Sequence, residues 1–456
     1  MKNIKFYIIL IAATIITACD NFVQVDLPES LLTGSQVFDD PNTVRAALAN
    51  TYSKLRDEGI LAGRGSGSGT SFGLYSDELI SYGLAGSAID NIYNNTLPPA
   101  NPTAQSYWNT AYHQIYCANA VIEGLNNSKT INESEKKLFK GEALFIRALV
   151  HFYLCNIFGS VPYVSTTDLE TNKRIPRTSS DKIYSYIIND LLQAEELLPV
   201  KYVSSERTIP NRAAAVALLA RIYLYNKNWA EAANSASALI NDSSYNLNDP
   251  LDMVFLKGSA STIWQFKPSS DKANAYESSS YIFTSVPPPS VSLKNELIAA
   301  FEPGDNRRQQ WIKEVNGGAK TYYHPYKYRH NTTTTVSVEY SVVLRIAEQY
   351  LIRSEARAQQ GDLIGALEDL NKIRRKAGLP ESNASSIPMV LNSIENERRV
   401  ELFTEYGHRF FDLKRTGRLE LLSTMKPGWD QNDIMWPIPE NELLSNPALL
   451  PQNPGY

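Results

Sequence analysis

The chain is poor in the residues that catalysis and metal binding draw on most. It has three cysteines and five histidines in 456 residues. His113, His151, His324, His330 and His408 show no metal-ligand spacing of the H-E-x-x-H kind. Basic charge is in short supply too. Lys and Arg number 44 against 48 Asp and Glu, a net charge of −4 with no basic block, which excludes a nucleic-acid binder of the electrostatic type. Only the N-terminus carries a long apolar run, which excludes a polytopic helical membrane protein. The glycine-rich stretch Gly63–Gly73 lacks the order of a phosphate loop and follows no apolar strand, so it reads as a flexible surface loop. Rings, by contrast, are plentiful. The 26 Tyr and 6 Trp exceed what a helix-rich core uses, so some of them need another explanation.

Met1–Ala18 reads as an address. Lys2 and Lys5 make a positive start, and Phe6–Ala18 is apolar but too short to span a bilayer comfortably. Cys19 follows Ile16-Thr17-Ala18, where a small residue admits a signal peptidase and the thiol then takes a diacylglycerol. The expectation is a lipoprotein signal peptide over 1–18 and a mature chain, 19–456, anchored through acyl chains at Cys19. The competing reading is an ordinary signal peptide with a chance cysteine. Of the other thiols, Cys117 and Cys155 sit on apolar helix faces, where a cysteine serves as a small hydrophobe, although an exported chain permits a disulfide.

Helical periodicity dominates the mature chain. It predicts helices over Thr43–Arg56, Gln105–Leu125, Glu135–Phe158 and Asp181–Leu198. Asn132-x-x-Glu135 is a possible capping box for the third of these. Asn211–Tyr225 with Trp229–Ile240, and Val342–Gln360 with Leu363–Lys376, form two helical hairpins. Val390–Glu405 and Arg409–Thr416 complete the set. The two hairpins superpose so that Ala232 falls on Ala366, Trp229 on Leu363 and Ala220 on Ser354. Ala220, Tyr223, Trp229, Ala232 and Leu239 have the spacing of a tetratricopeptide repeat. Two long excursions, 59–104 and 256–341, interrupt the helices. The second carries short β-like runs at Ser261–Phe266 and Tyr281–Ser285. Loops of this length in a compact protein are usually functional.

Several blocks in this order resemble the SusD/RagB-like outer-membrane nutrient-binding lipoproteins. They are Gly141–Tyr153 with Phe158-Gly-Ser-Val-Pro-Tyr163, the repeat hairpin from Arg212, and Phe301-Glu-Pro-Gly-Asp-Asn-Arg-Arg308. Glu348–Leu379, Glu397-Arg-Arg-Val-Glu-Leu402, Gly407-His-Arg409, Asp412-Leu-Lys-Arg415 and the tail Pro437–Tyr456 continue the match. Tyr406 separates Glu405 from Gly407, where many relatives have the two adjacent. The resemblance implies a mainly α fold of about four tetratricopeptide-like hairpins packed on an irregular, loop-rich ligand region with short β hairpins. It also implies one domain over 19–456, with no catalysis. Its members act at the cell surface, anchored in the outer membrane, as lids of SusC-like TonB-dependent transporters. They capture an oligosaccharide, or an oligopeptide in RagB-like relatives.

Rings gather in the excursions, where flat faces suit sugar rings and peptide side chains alike. The expected aromatic platform is Tyr75, Tyr276, Tyr281, Tyr82, Tyr93 and Trp311, with Asp77, Asn91 and Asn274 as polar readers. The competing role for each ring is to plug its loop onto the helices. Glu397, Glu401 and Glu405, four apart, could hold a hard cation, but nearby Arg398, Arg399 and Arg409 favour ion pairing, and no metal or cofactor is expected. No pair of carboxyls announces a hydrolase. A ligand-free repeat scaffold is the other alternative, and it would leave the excursion rings buried or scattered. A glycan lid calls for a shallow aromatic platform, and a peptide lid for a closed polar cavity. Replacing Cys19 by Ala is expected to release the protein from membranes as a soluble species. Fractionation of cells checks this, and persistent membrane association would contradict the anchor.

Overall fold

A computed structural model describes residues 37–456, so Cys19 and the signal segment lie outside the described residues. The longer helices are α1 (Pro41–Asp57), α2 (Ser68–Tyr75), α3 (Ala88–Asn94), α4 (Pro102–Asn127), α5 (Glu133–Phe158), α6 (Ser180–Leu197), α7 (Arg212–Tyr225), α8 (Trp229–Ile240), α9 (Tyr276–Tyr281), α10 (Ile346–Gln359), α11 (Leu363–Lys376), α12 (Ile387–Glu401) and α13 (His408–Arg415). Among the described residues, strands are confined to three antiparallel pairs. These are β1 (Leu79–Ser81) with β3 (Val291–Leu293), β2 (Thr262–Phe266) with β6 (Ser341–Arg345), and β4 (Ile312–Asn316) with β5 (Thr321–Pro325). The mainly α fold expected from periodicity is what is observed.

Helix starts follow local chemistry. Asn101 accepts from the backbone N–H of Thr103 and Ala104, and Pro102 opens α4 where its missing N–H costs nothing. At α5 the Asn132 side chain accepts from Glu135 N and donates to the Glu135 carboxylate at 2.7 Å, so the cap closes through side chains on both sides. The helices stack in sequence, α4 on α5, α5 on α6, α6 on α7, α7 on α8, α8 on α10, α10 on α11. The small-residue seam is real. Ala220, Ala232, Ser354 and Ala366 are fully buried, and the Ser354 hydroxyl donates to Ala366 O at 2.7 Å, which satisfies the one polar atom in the seam. Every residue from Ala214 to Tyr225 is buried, so α7 runs through the core and lacks a solvent face. Its Arg221 is paid for by a bidentate fork to Glu348 of α10, both bonds 2.7 Å.

Four expectations need correction. Residues 341–345 form strand β6 before α10 begins, because Ser-Val-Val-Leu-Arg is a short buried apolar run that periodicity alone cannot assign. Tyr281–Ser285 is not a strand, since Tyr281 closes α9. Nor is Gly63–Gly73 a flexible loop, because its second half is the buried helix α2. A Cβ at Gly69 would sit 2.7 Å from Thr404 O, so the small residues serve close packing. Finally, α12 ends at Glu401 rather than at Glu405. Thr404, Tyr406 and Gly407 follow with positive φ and turn the chain into α13. Cys117 and Cys155 are both free thiols.

The glutamate column is an ion-pair centre, with different partners from those expected. Arg307, fully buried, reaches Asp305, Glu397 and Glu401 at 2.8, 2.7 and 2.8 Å. Arg345 of β6 reaches Glu401 at 2.5 Å and Glu405 at 2.9 Å. Lys327 donates to the carbonyls of Glu401 and Phe403. Arg398 pairs with Asp412 instead, and Arg399 and Arg409 with Asp77. Burial pushes the Glu401 carboxyl up, but Arg345 and Arg307 outweigh it and hold it down to about 2. With its folded value depressed below the ordinary 4.5, this carboxylate contributes stability above pH 4.5 that disappears as pH falls through about 2. Glu401→Gln is expected to cost about 3–5 kcal/mol, because it leaves two buried guanidiniums short of a charge. Urea unfolding at pH 7 checks this, and a loss indistinguishable from zero would contradict it.

Candidate ligand-binding face

The two excursions meet. β1, from the first, pairs with β3, from the second, in the register Leu79↔Leu293, Ile80↔Ser292, Ser81↔Val291. Tyr82 N continues the ladder by donating to Ser290 O at 2.8 Å. The β4–β5 hairpin packs beside β3. Its register sets Lys313 opposite His324 and Val315 opposite Tyr322, so these four share one face, while Glu314 and Tyr323 share the other. On the first face the Tyr322 ring meets the edge of Tyr82 at 6.1 Å. The Tyr82 hydroxyl lies 3.1 Å from that of Ser292. His324 is buried between Phe283 and Tyr326, at ring distances of 5.1 and 5.9 Å. Its Nδ1 is 2.8 Å from Pro325 O, and burial lowers its pKa, so the ring is a neutral packing element. Tyr82, Tyr322 and Tyr326 are half-buried. The result is a shallow row of rings built from both excursions.

The residues expected to form the platform divide in two. Tyr75 is wholly buried among Phe72, Phe410, Trp429 and Trp436, and its hydroxyl lies 3.2 Å from the Asp433 carbonyl. Trp311 is also buried, with its indole N–H donating to Leu251 O at 2.8 Å. Tyr281 is buried and accepts from the Thr70 hydroxyl. Asp77 is clamped by Arg409 through two bonds of 2.8 and 2.9 Å and by Arg399 at 2.8 Å. Asn274 donates to Thr332 O and accepts from the N–H of Val338 and Glu339, which uses its amide to hold the loop. These five fasten the excursions and present nothing to a ligand, which corrects the expectation for them. Polar neighbours are no guide to exposure here, since Ser76 and Asp77 beside Tyr75 are themselves buried.

Tyr276, Tyr93 and Asn91 stay half-buried, as does Tyr82. Tyr276 lies under Arg64, whose guanidinium carbon is 4.1 Å from the ring centre and whose Nη2 donates to the Tyr276 hydroxyl at 2.9 Å. Tyr93 lies within 5.6 Å of Lys294 and 4.8 Å of Lys426. Tyr322, Tyr326 and the lysines of the β4–β5 face were not among the expected site residues. A signal existed. Asn316-Gly317-Gly318 between two short runs is a hairpin mark, and the period of two then places Lys313 and Tyr322 on one side.

Beneath Arg64 and Tyr276 lie two small cavities, of about 20 and 10 Å³, lined by Glu277, Tyr281, Tyr328, Thr404 and Glu405. Each has the space of about one water and no room for a sugar ring or a peptide. Glu277 at their wall accepts from Ser341 at 2.7 Å, and burial raises its pKa to about 7. In the helical scaffold His151 is equally structural, with Nδ1 2.9 Å from Arg147 O and Nε2 accepting from Val164 N.

A family model described as starch-binding and associating with the outer membrane matches residues 75–224. The model of the SusD family matches residues 306–456. The chain belongs to the SusD/RagB-like family. SusD-like proteins P38 and P2 of Formosa agariphila are each 25% identical, over 526 and 529 residues, and span 100% of this chain and 99% and 100% of their own lengths. A laminarin-binding SusD-like protein superposes with a TM-score of 0.76 at 25% identity, covering 91% of this chain and 99% of that one. A SusD superfamily protein of Bacteroides vulgatus gives 0.77 at 22% identity, over 92% of this chain and 100% of that one, a likeness of fold. SusD-like relatives are described as binding proteins.

The wall of the small cavities is pH-sensitive. Glu277 keeps its proton to about pH 7 in the fold, against an ordinary 4.5, so it subtracts stability as pH rises from 4.5 to 7 and the penalty is complete above that. Glu277→Gln is therefore expected to gain stability relative to the parent across this window, by roughly 3 kcal/mol at pH 8. Unfolding curves at pH 5 and 8 check it. An equal difference at both values would contradict it.

Proposed function

We propose that this SusD-like chain is a cell-surface nutrient-binding lipoprotein, anchored through Cys19 in the outer membrane, that captures an oligosaccharide. It serves as the lid of a SusC-like TonB-dependent transporter. The observation that carries the cargo reading is the Tyr82–Tyr322 pair, one half-buried ring from each excursion, on an open face. Flat rings there can stack on the C–H faces of pyranoses, and the Tyr82 hydroxyl, positioned by that of buried Ser292, can meet a sugar hydroxyl. The family and the laminarin-binding relative support the same reading. An oligopeptide lid calls for a closed polar cavity, and the cavities between the excursions are water-sized. Tyr276, Tyr93 and Asn91 stand as outlying contacts of the same ligand region. Catalysis forms no part of this reading.

The test is calorimetric titration of the soluble Cys19→Ala protein with oligosaccharide and oligopeptide pools. Heat is expected with oligosaccharides. Tyr82→Ala combined with Tyr322→Ala should weaken binding by about tenfold or more, since each ring contact contributes about 0.5–1.5 kcal/mol. The melting temperature should stay unchanged. Heat with peptides alone would move the cargo to the second class, and unchanged glycan affinity in the double variant would overturn the site.

A further inference from the structure

The chain carries more acidic than basic residues, yet its ring face is basic. Lys320 lies 5.0 Å from the centre of the Tyr322 ring, and Lys313 lies 5.7 Å from that of Tyr326. Arg329, which pairs with Asp252 at 4.0 Å, lies 5.3 Å from the centre of the Tyr326 ring. Lys313 and Lys320 are exposed, and neither forms a salt bridge among the described residues. Exposed cations elsewhere fall into both classes: Lys182, Lys201 and Lys372 are also without a salt bridge among the described residues, whereas Lys173 pairs with Glu170 and Arg375 with Glu381. What distinguishes Lys313 and Lys320 is that they flank rings, and within the hairpin the register keeps carboxylates away from them. The hairpin's one carboxylate, Glu314, alternates onto the opposite face, where it pairs with Arg308 at 2.5 Å. Lys313, Val315, Tyr322 and His324 share the ring face, which has no carboxylate from either strand. His324 is held neutral by burial and does not offset the lysines.

From this face we infer the class of the cargo: an anionic oligosaccharide, whose rings stack on Tyr82, Tyr322 and Tyr326 while its carboxylate or sulfate groups pair with Lys313 and Lys320. The inference rests on the glycan reading above and specifies it. The chemistry is complementary at two points. A ring face takes the apolar face of a sugar, and an ammonium beside that ring takes the charged substituent of the same sugar. From Tyr322 to Tyr326 the chain extends about 13 Å at the rise of a strand, so the two lysine–tyrosine pairs address different units of one chain. A neutral glycan would leave both ammonium groups with solvent alone, whereas an acidic one brings each of them a countercharge. Uronate and sulfate ester share this chemistry, and the experiment separates them.

The soluble Cys19→Ala protein is titrated calorimetrically, at low and at high salt, with three defined probes: laminari-oligosaccharides, oligogalacturonates and carrageenan oligosaccharides. An acidic probe is expected to bind more tightly than the neutral one, with an affinity that falls as salt rises. Preference for oligogalacturonate assigns a carboxylate cargo, and preference for carrageenan a sulfated one. Lys313→Gln and Lys320→Gln should each weaken the acidic probe by about fivefold and leave the melting temperature alone, as expected for exposed ion pairs. Tight binding of laminari-oligosaccharides alone, or acidic binding that ignores both lysine variants and salt, overturns the inference while the glycan reading survives. Binding of peptides and of none of the three glycans overturns that reading and the inference with it.

Discussion

Arg307 and Arg345 converge on the Glu401 carboxylate in a part of the molecule where none of the three would be tolerated alone. A buried charge is costly unless it is paired and its hydrogen-bonding atoms are used, and here each partner supplies what the others need. What matters is where the partners come from. Arg307 belongs to the second excursion, Arg345 to the strand that ends it, and Glu401 to the last turn of α12. Asp77, from the first excursion, is held by Arg399 and Arg409 from the same C-terminal block. The two irregular regions are therefore fastened by charge to one short stretch of chain, and the stacked helices provide the frame on which that stretch is carried.

This division of labour accounts for the character of the ring face. The apolar seams of the helical hairpins supply a rigid mass without projecting anything toward a ligand. The excursions hold few regular hydrogen-bond ladders, only two-stranded ones, and would not stay ordered by themselves. Once clamped, they can present half-buried tyrosines at fixed separations, which spares a ligand the entropy of ordering loops on arrival. The conformational cost is met during folding.

Much of the scaffold was legible in the sequence because helical periodicity and alanine seams are local signals. Ala220 over Ser354 and Ala232 over Ala366 could be aligned by eye, and the structure buries all four. The ligand region was only partly legible. Tyr75 and Tyr82 stand a few positions apart in equally polar surroundings, yet one is sealed among tryptophans and the other borders solvent. What separates them is contact with Trp436 and with Tyr322, both hundreds of positions away in a chain whose spacing carries no record of the meeting. Asp77 misled for the same reason, since its countercharges Arg399 and Arg409 lie in the C-terminal block. The glutamate column was read correctly as an ion-pair site because like charges four apart demand neutralisation, while the identity of the neutralising arginines depended on tertiary packing.

The β4–β5 hairpin stands apart from this locked interior. Its ring face touches solvent, and its strands pair chiefly with each other. Substitution at positions 313, 315, 320 or 322 can thus recast what the surface attracts while the guanidinium clamps and alanine seams go undisturbed. On the function proposed above, the hairpin is an exchangeable fingertip on a fixed hand: recognition can be retuned a residue at a time, with no renegotiation of how the protein folds.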